Sequence, residues 1–439
     1  MRELFRDSTY RAVYLGQVLS ILGTGLATVA LGLLAYEFSG EAAGAVLGLA
    51  MAIRMAANMG VSTIASGFVS RFSRRKTLVA MDIVRASVAM LLPFITEVWQ
   101  IFVLIFVLQS ASAVASPVIQ AAIPDIFPDE RRYTKALTMT RLAYDVESVA
   151  SPVIAGLLLY FMTFHNLFFG TAAGFLASAA LISVSGLKSN SVARGGGALA
   201  RIRAGFAIYY RTPRLLGVLA ISFCAAAAIS MVVANTVVIV QNNLGLDSQA
   251  TALALASFGF GSITAAIVLP RLLLALGDRT IMLSGGVLIL LSFGAGYFVS
   301  EYWQLHLAWI CAGLGFASIQ TPIGRVVNRS CHRSDRNEAF AAQFALSHAC
   351  RLITYLVCGF VGAEYGIGAA FIALGAICIA SMTVAALVWP RHDDEVLFHR
   401  HTGLDPDDPH WQDGDQPSDG GHTHVFVIDD LHRRWPQRG

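Results

Sequence analysis

Charge is what this chain has least of. Only 13% of its 439 residues are Asp, Glu, Lys or Arg, where a soluble domain carries about 25%. With 56% hydrophobic residues and a mean hydropathy of +0.62, the chain cannot bury its apolar surface in water, so lipid is its solvent. Other absences narrow the function. There is no nucleophile motif, no phosphate-binding loop and no ATP-binding segment, so an enzyme, a bound cofactor and a nucleic-acid partner are not expected. The six cysteines (Cys224, Cys311, Cys331, Cys350, Cys358, Cys378) include no CxxC and read as reduced packing residues. The first apolar run, Tyr10 to Tyr36, is too long for a signal peptide and no small-residue cleavage site follows it, so it is a retained helix.

Positive charge is also missing from alternate loops. Apolar runs near ~20 residues number twelve: Tyr10–Tyr36, Ala42–Val69, Leu78–Ile95, Trp99–Ala122, Ala136–Tyr160, Leu167–Ser185, Leu215–Val240, Thr251–Leu274, Ile281–Val299, Trp303–Val326, Ala339–Ala363 and Ala369–Trp389. One set of loops holds Arg71, Arg74, Arg75 and Lys76, then Arg131, Arg132 and Lys135, then Lys188 through Arg214, Arg271 with Arg279, and Arg325 through Arg336. The other set has no lysine or arginine, only Glu37, Glu41, Glu97, Asp247, Glu301 and Glu364. This alternation places both termini in the cytoplasm of a bacterial inner-membrane protein. Trp99, Trp303 and Trp389 fall at span ends, as interfacial aromatics do.

The expected organisation is an all-α membrane protein of twelve transmembrane helices in two six-helix halves. Residues 1–185 form the first half, 186–214 a basic linker with Gly195-Gly196-Gly197, 215–389 the second half, and 390–439 a tail. Arg201 to Tyr210 suits either a short helix on an anionic leaflet or a solvated linker. Halves of this kind face each other across a central cavity.

Each ionisable residue inside a span needs a partner, a wet cavity or a function, because insertion costs roughly 2.5–3.5 kcal/mol. Asp82 and Arg85 share a face of the third span, only ~8 Å from the basic-loop boundary. With Arg71, Arg74 and Arg75 they form a candidate gate. The fifth span carries Arg141, Asp145 and Glu147 near mid-depth. Arg141 and Asp145 can pair along one face, while Glu147 is rotated ~200° from Asp145. A midplane carboxylate is a candidate proton or cation carrier. On the second span Met51, Arg54, Met55, Asn58 and Met59 form one stripe, in which the methionines read as packing and Arg54 as a counter-charge for a carboxylate or an anionic cargo. His348 and Arg351 share a face of the eleventh span, and Asn235 on the seventh is a further cavity candidate.

After Pro390 eleven acidic residues stand against five basic, and seven of the eleven histidines lie there: His392, His399, His401, His410, His422, His424 and His432. Imidazole and carboxylate together suit divalent nickel, zinc or cobalt. The Pro, Gly and Asp content suggests a mostly disordered segment, with Val425 to Ile428 apolar enough to dock.

The stretch Ser66-Gly67-Phe68-Val69-Ser70-Arg71-Phe72-Ser73-Arg74-Arg75 resembles the G-x-x-x-D-R-x-G-R-R loop of the major facilitator superfamily, and Gly277-Asp278-Arg279 echoes it in the second half. Ser151-Pro152-Val153-Ile154-Ala155-Gly156 looks like a worn antiporter signature. Pro117-x-x-x-Ala121-x-Ile123-Pro124 with Asp82 and Arg85 looks like the siderophore- and drug-exporting branch, while Phe344 to Cys350 and the tail are similar to nickel-resistance exporters of the Nre type. The resemblance implies a major facilitator fold, neighbouring second and eleventh helices that bring Arg54 to His348, and secondary transport with protons and a metal-ion or small-molecule cargo. The expected function is proton-coupled export of divalent metal, nickel first. Export of a small organic compound is the alternative, and a membrane-anchored metal sensor a third reading.

Overall fold

The computed structural model describes residues 4–69, 73–127, 129–187, 198–332, 335–391, 396–400, 421–428, 432 and 435. Of the expected site residues, Arg71, His392, His401 and His410 lie outside these, as do the side chains of Arg141, Asp145 and His399.

Twelve long helices appear where the apolar runs place them. The first half is α1 (Ser8–Ser39), α2 (Ala43–Val69), α3 (Arg74–Leu91), α4 (Val98–Ile126), α5 (Glu130–Leu158) and α6 (His165–Ser183). A short helix α7 (Ala198–Arg211) precedes the second half, which is α8 (Pro213–Val237), α9 (Ser248–Leu276), α10 (Asp278–Tyr297), α11 (Tyr302–Asn328), α12 (Arg336–Tyr365) and α13 (Ile367–Val388). Eleven of the twelve carry an apolar stretch long enough to cross a membrane, α1 and α2 running together as one. On α5 the described apolar stretch is shorter, Val149–Leu158, and Glu147 stands just before it.

The halves repeat each other in sequence and packing. Helix α4 opens on Glu97-Val98-Trp99-Gln100 and α11 on Glu301-Tyr302-Trp303-Gln304, and both form the same reciprocal capping box between Glu and Gln. In the first half α1 packs on α6 and α5, α2 on α4, and α3 on α6; in the second α8 packs on α13 and α12, α9 on α11, and α10 on α13. The halves join through α2 against α12 and α5 against α9, which are equivalent pairs.

Small residues set those junctions, as is usual where lipid supplies no hydrophobic drive between helices. A Cβ on Gly48 would lie 2.6 Å from the Tyr355 carbonyl oxygen, and one on Gly359 2.7 Å from that of Gly44. At α5–α9, Gly156 faces Ala252 and Leu253, and Gln249 Nε2 donates to the Leu159 carbonyl at 3.0 Å. Asn242 Nδ2 donates to Glu41 at 3.3 Å. These contacts all lie toward the acidic-loop end, which is therefore the closed end of the molecule.

Three expectations change. Trp99 and Trp303 are 60% and 61% exposed, as interfacial rings should be, but Trp389 is 1% exposed and packs on Gly217 of α8. Helix α7 forms, but it seats on the start of α12 rather than standing alone: Gly205 approaches the Glu338 carbonyl, and the Tyr209 hydroxyl hydrogen-bonds Gln343. The tail is not featureless. Strands β1 (Val396–Arg400) and β2 (Gly421–Val425) pair antiparallel with His399 opposite His422, and Phe426, Val427 and Ile428 are buried.

A valine at Gly48 cannot fit against Tyr355, so Gly48→Val should prise α2 from α12. Labelling of the adjacent buried Cys358 by a membrane-impermeant maleimide should rise several-fold over the parent protein. Unchanged labelling would show that the glycine contact does not hold that end shut.

Candidate functional site

The charged centre of the molecule gathers four helices. Glu147 of α5 is tucked against α1, where it is hydrogen-bonded to Ser151 one turn along. Ser151 Oγ also lies 3.3 Å from the Leu22 carbonyl oxygen, which accepts its proton. The carboxylate reaches this place because Gly25 has no side chain: a Cβ there would collide with both Glu147 Oε1 and Ser151 Oγ. Arg54 of α2 lies within electrostatic reach of Glu147. It also acts on His348 and Tyr355 of α12, as does Arg351. The resemblance had implied that Arg54 and His348 meet, and the structure brings them together.

Arg54 Nε is buried and has no hydrogen-bond partner among the described residues. His348 donates from Nδ1 to the Phe344 carbonyl at 2.8 Å, which leaves Nε2 as the accepting nitrogen. Asn58 is half-buried one turn from Arg54 toward the basic-loop end. Asn235 is not with this group. It is 1% exposed near the closed end, packed between Gly44 and Gly362, and its Nδ2 donates to Cys358 Sγ at 3.1 Å.

The expected gate divides into separate contacts. Asp82 is completely buried, ion-paired with Arg85, and accepts from Ser178 Oγ of α6 at 2.7 Å. The Arg85 guanidinium lies over the Phe175 ring, 4.6 Å from its centre. This pair fastens α3 to α6 inside the first half, and among the described residues its hydrogen bonds run to each other and to Ser178 rather than to the basic loop. Arg74 instead pairs with Asp125 at the end of α4, and Arg75 is exposed. In the second half Asp278 pairs with Arg325 at 2.6 Å and Arg329 at 3.5 Å. Gly25, Asp125 and Arg325 were not singled out in the sequence. An acidic residue closing one span opposite a basic residue opening its neighbour was the signal available for Asp125.

Among the described residues no three His, Cys, Asp or Glu are arranged to hold a metal ion. In the tail, His424 stands 4.8 Å from His422 and 5.0 Å from His432, ring centre to ring centre. Cys331, in the basic loop after α11, offers no thiolate at neutral pH, because burial pushes its thiol up to about 11.

Two substitutions follow from this geometry. Asp82→Ala strands a buried guanidinium and should cost about 3–5 kcal/mol, seen as a lower melting temperature in detergent. A fully stable protein that no longer transports would restore the gate reading. Gly25→Ala should displace Glu147 and abolish transport while the protein still inserts and purifies as a monodisperse species. Full transport by Gly25→Ala would mean that the α1–α5 approach does not fix the carboxylate.

The sequence model of the Major Facilitator Superfamily matches residues 13–239 and 218–406. An uncharacterized MFS-type transporter, YfiS of Bacillus subtilis (strain 168), is 20% identical over 320 residues, spanning 70% of this chain and 76% of its own. The nucleoside transporter NupG superposes with a TM-score of 0.69 at 13% identity, covering 86% of this chain and 99% of its own. A bacterial homologue of the human lysosomal transporter Spinster, in an inward-facing and unoccupied conformation, gives 0.69 at 11% identity over 86% and 95%. Twelve paired helices in two matching halves, and a family match running through both of them, make this chain a multi-pass membrane transporter of the Major Facilitator Superfamily.

Proposed function

We propose that this chain is a proton-coupled exporter of the bacterial inner membrane, with both termini in the cytoplasm, whose cargo is a small organic compound carrying an anionic group. The observation that carries this reading is the buried Arg54 Nε, without a hydrogen-bond partner among the described residues, beside the single described carboxylate of the centre, Glu147. Arg351 acts on the same residues of α12 as Arg54 does. A divalent cation about 6 Å from one guanidinium meets roughly 5 kcal/mol of repulsion at an effective dielectric of ~20. Glu147 offsets such a term, whereas an anion gains from Arg54 directly.

Glu147 is the proposed proton carrier, and its charge state alters the field at Arg54, which couples the two fluxes through one residue. The antiporter-like stretch Ser151 to Gly156 supports outward movement, and Pro152 lies inside α5 one turn beyond the carboxylate.

Nickel or another divalent metal is the second reading, and the observation favouring it is the tail. The ladder sets His399 opposite His422, and His424 and His432 are adjacent to them in the same fold. Such a tail would concentrate metal at the cavity mouth through tethering.

Growth and accumulation assays in a sensitive host, over a panel of metals, organic acids, siderophores and drugs, separate the readings. Lowered accumulation of an organic anion, lost in Arg54→Gln and made independent of pH in Glu147→Gln, is the expected result. Nickel resistance that survives Arg54→Gln but weakens on truncation after Pro390 would replace it with the metal reading. Asp145→Asn tests the second carboxylate of α5 in the same assay; loss of pH dependence there alone would move the proton from Glu147.

A further inference from the structure

A second basic cavity lies away from the centre, at the basic-loop end of the second half. It measures about 630 Å³ and is lined by Arg279, Arg325, Arg329, Arg336 and Arg391, with Asp278 as the one acidic residue among the described lining. Four separate stretches supply these groups: the start of α10, the end of α11, the start of α12 and the residue following Pro390.

Loop arginines ordinarily need no more explanation than orientation in the membrane. These differ in converging on one cavity. Arg279 is held in place by the Trp389 carbonyl at 3.0 Å and the Ala386 carbonyl at 2.9 Å. Asp278 is shared between Arg325 and Arg329 and is the single carboxylate among the described lining residues. Arg336 Nε is buried with no hydrogen-bond partner among the described residues. The N-terminus of α10, through Gly277 to Thr280, lines the same wall and adds its own positive end. Fixed guanidinium planes beside a helix N-terminus match the bidentate, multiply charged geometry of a phosphate.

We propose that this cavity is a phosphate-binding site, taking the phosphate of an anionic lipid headgroup or of a soluble phosphate compound, and distinct from the cargo site at Arg54. Basic pockets between helices at this level of a membrane protein suit anionic headgroups. The full chain in detergent tests it with two probes. Native mass spectrometry compares retention of phosphatidylglycerol or cardiolipin with that of phosphatidylcholine, and thermal shift follows inorganic pyrophosphate.

Arg336→Gln and Arg391→Gln should each weaken binding roughly fivefold, while Arg336→Lys and Arg391→Lys, which keep the charge and lose the planar fork, should fall between the Gln variants and the parent. Arg203→Gln and Arg211→Gln, which remove exposed charge from α7, should change nothing. Melting temperatures of the unliganded variants confirm that each is folded. Preference for the anionic lipids assigns the headgroup as the source, and a pyrophosphate shift without lipid preference assigns a soluble phosphate. Absence of both, or equal weakening by the α7 variants, overturns the site.

Discussion

A carboxylate in the middle of a lipid-embedded helix has to be held by protein, and here it is held by the absence of a side chain. Gly25 lets α5 approach α1 closely enough for Glu147 and Ser151 to reach its backbone. The approach fixes how α5 faces the centre, and therefore which residues of α2 and α12 it meets. Arg54 is within range of the carboxylate only because α2 lies against α12 through Gly44, Gly48 and Gly359. Two close crossings thus set the electrostatics of the site, and any side chain larger than hydrogen at either would move charge by more than a hydrogen bond tolerates.

The same crossings explain why the molecule is closed at one end. The approaches that join the halves sit toward the acidic loops, while the charged pairs Arg74–Asp125 and Asp278–Arg325 sit at the opposite end, each within one half. Opening the closed end must separate α2 from α12 and α5 from α9, and those are equivalent pairs in the two halves. A rocking of one half against the other does both at once. Arg54 and Glu147 both belong to the first half and His348 and Arg351 to the second, so this rocking changes the distance from the Arg54–Glu147 pair to α12 rather than the distance within the pair.

The helices were legible in the sequence because lipid imposes one demand on every span, a long apolar run, and loop charge checks the count independently. The duplication was legible too, in the Gly277-Asp278-Arg279 echo of the first-half loop, and the paired Glu-x-Trp-Gln openings of α4 and α11 add to it. Asp82 shows where the reading stopped. Its i,i+3 partner was correct, but its neighbour on α6, Ser178, lies ninety-six residues away and no periodicity points to it. Trp389 looked like an interfacial anchor because it ends a span, and only the packing against Gly217 reveals a buried ring. Composition gave no hint of the ladder in the tail for a related reason. Pro, Gly and Asp report local preference, whereas the β1–β2 ladder depends on two stretches twenty residues apart meeting in register.

The two charged pairs at the basic-loop end are equivalent in position and opposite in sign. In the first half Arg74 opens α3 and Asp125 closes α4, so each charge sits at the helix end whose dipole opposes it. In the second half Asp278 opens α10 and Arg325 closes α11, and both dipoles reinforce the pair. Exposure acts in the same direction, since the Asp125 side chain is 52% exposed and that of Asp278 only 5%. A solvated pair contributes about 0–1 kcal/mol, and an adverse dipole of roughly 0.3–1 kcal/mol at each end can cancel it. The second-half clasp has the dipoles in its favour and Arg329 as a further partner. The halves are therefore built alike but not fastened alike at this end, and the first half is the one whose α3–α4 corner can yield at little cost when the molecule changes conformation.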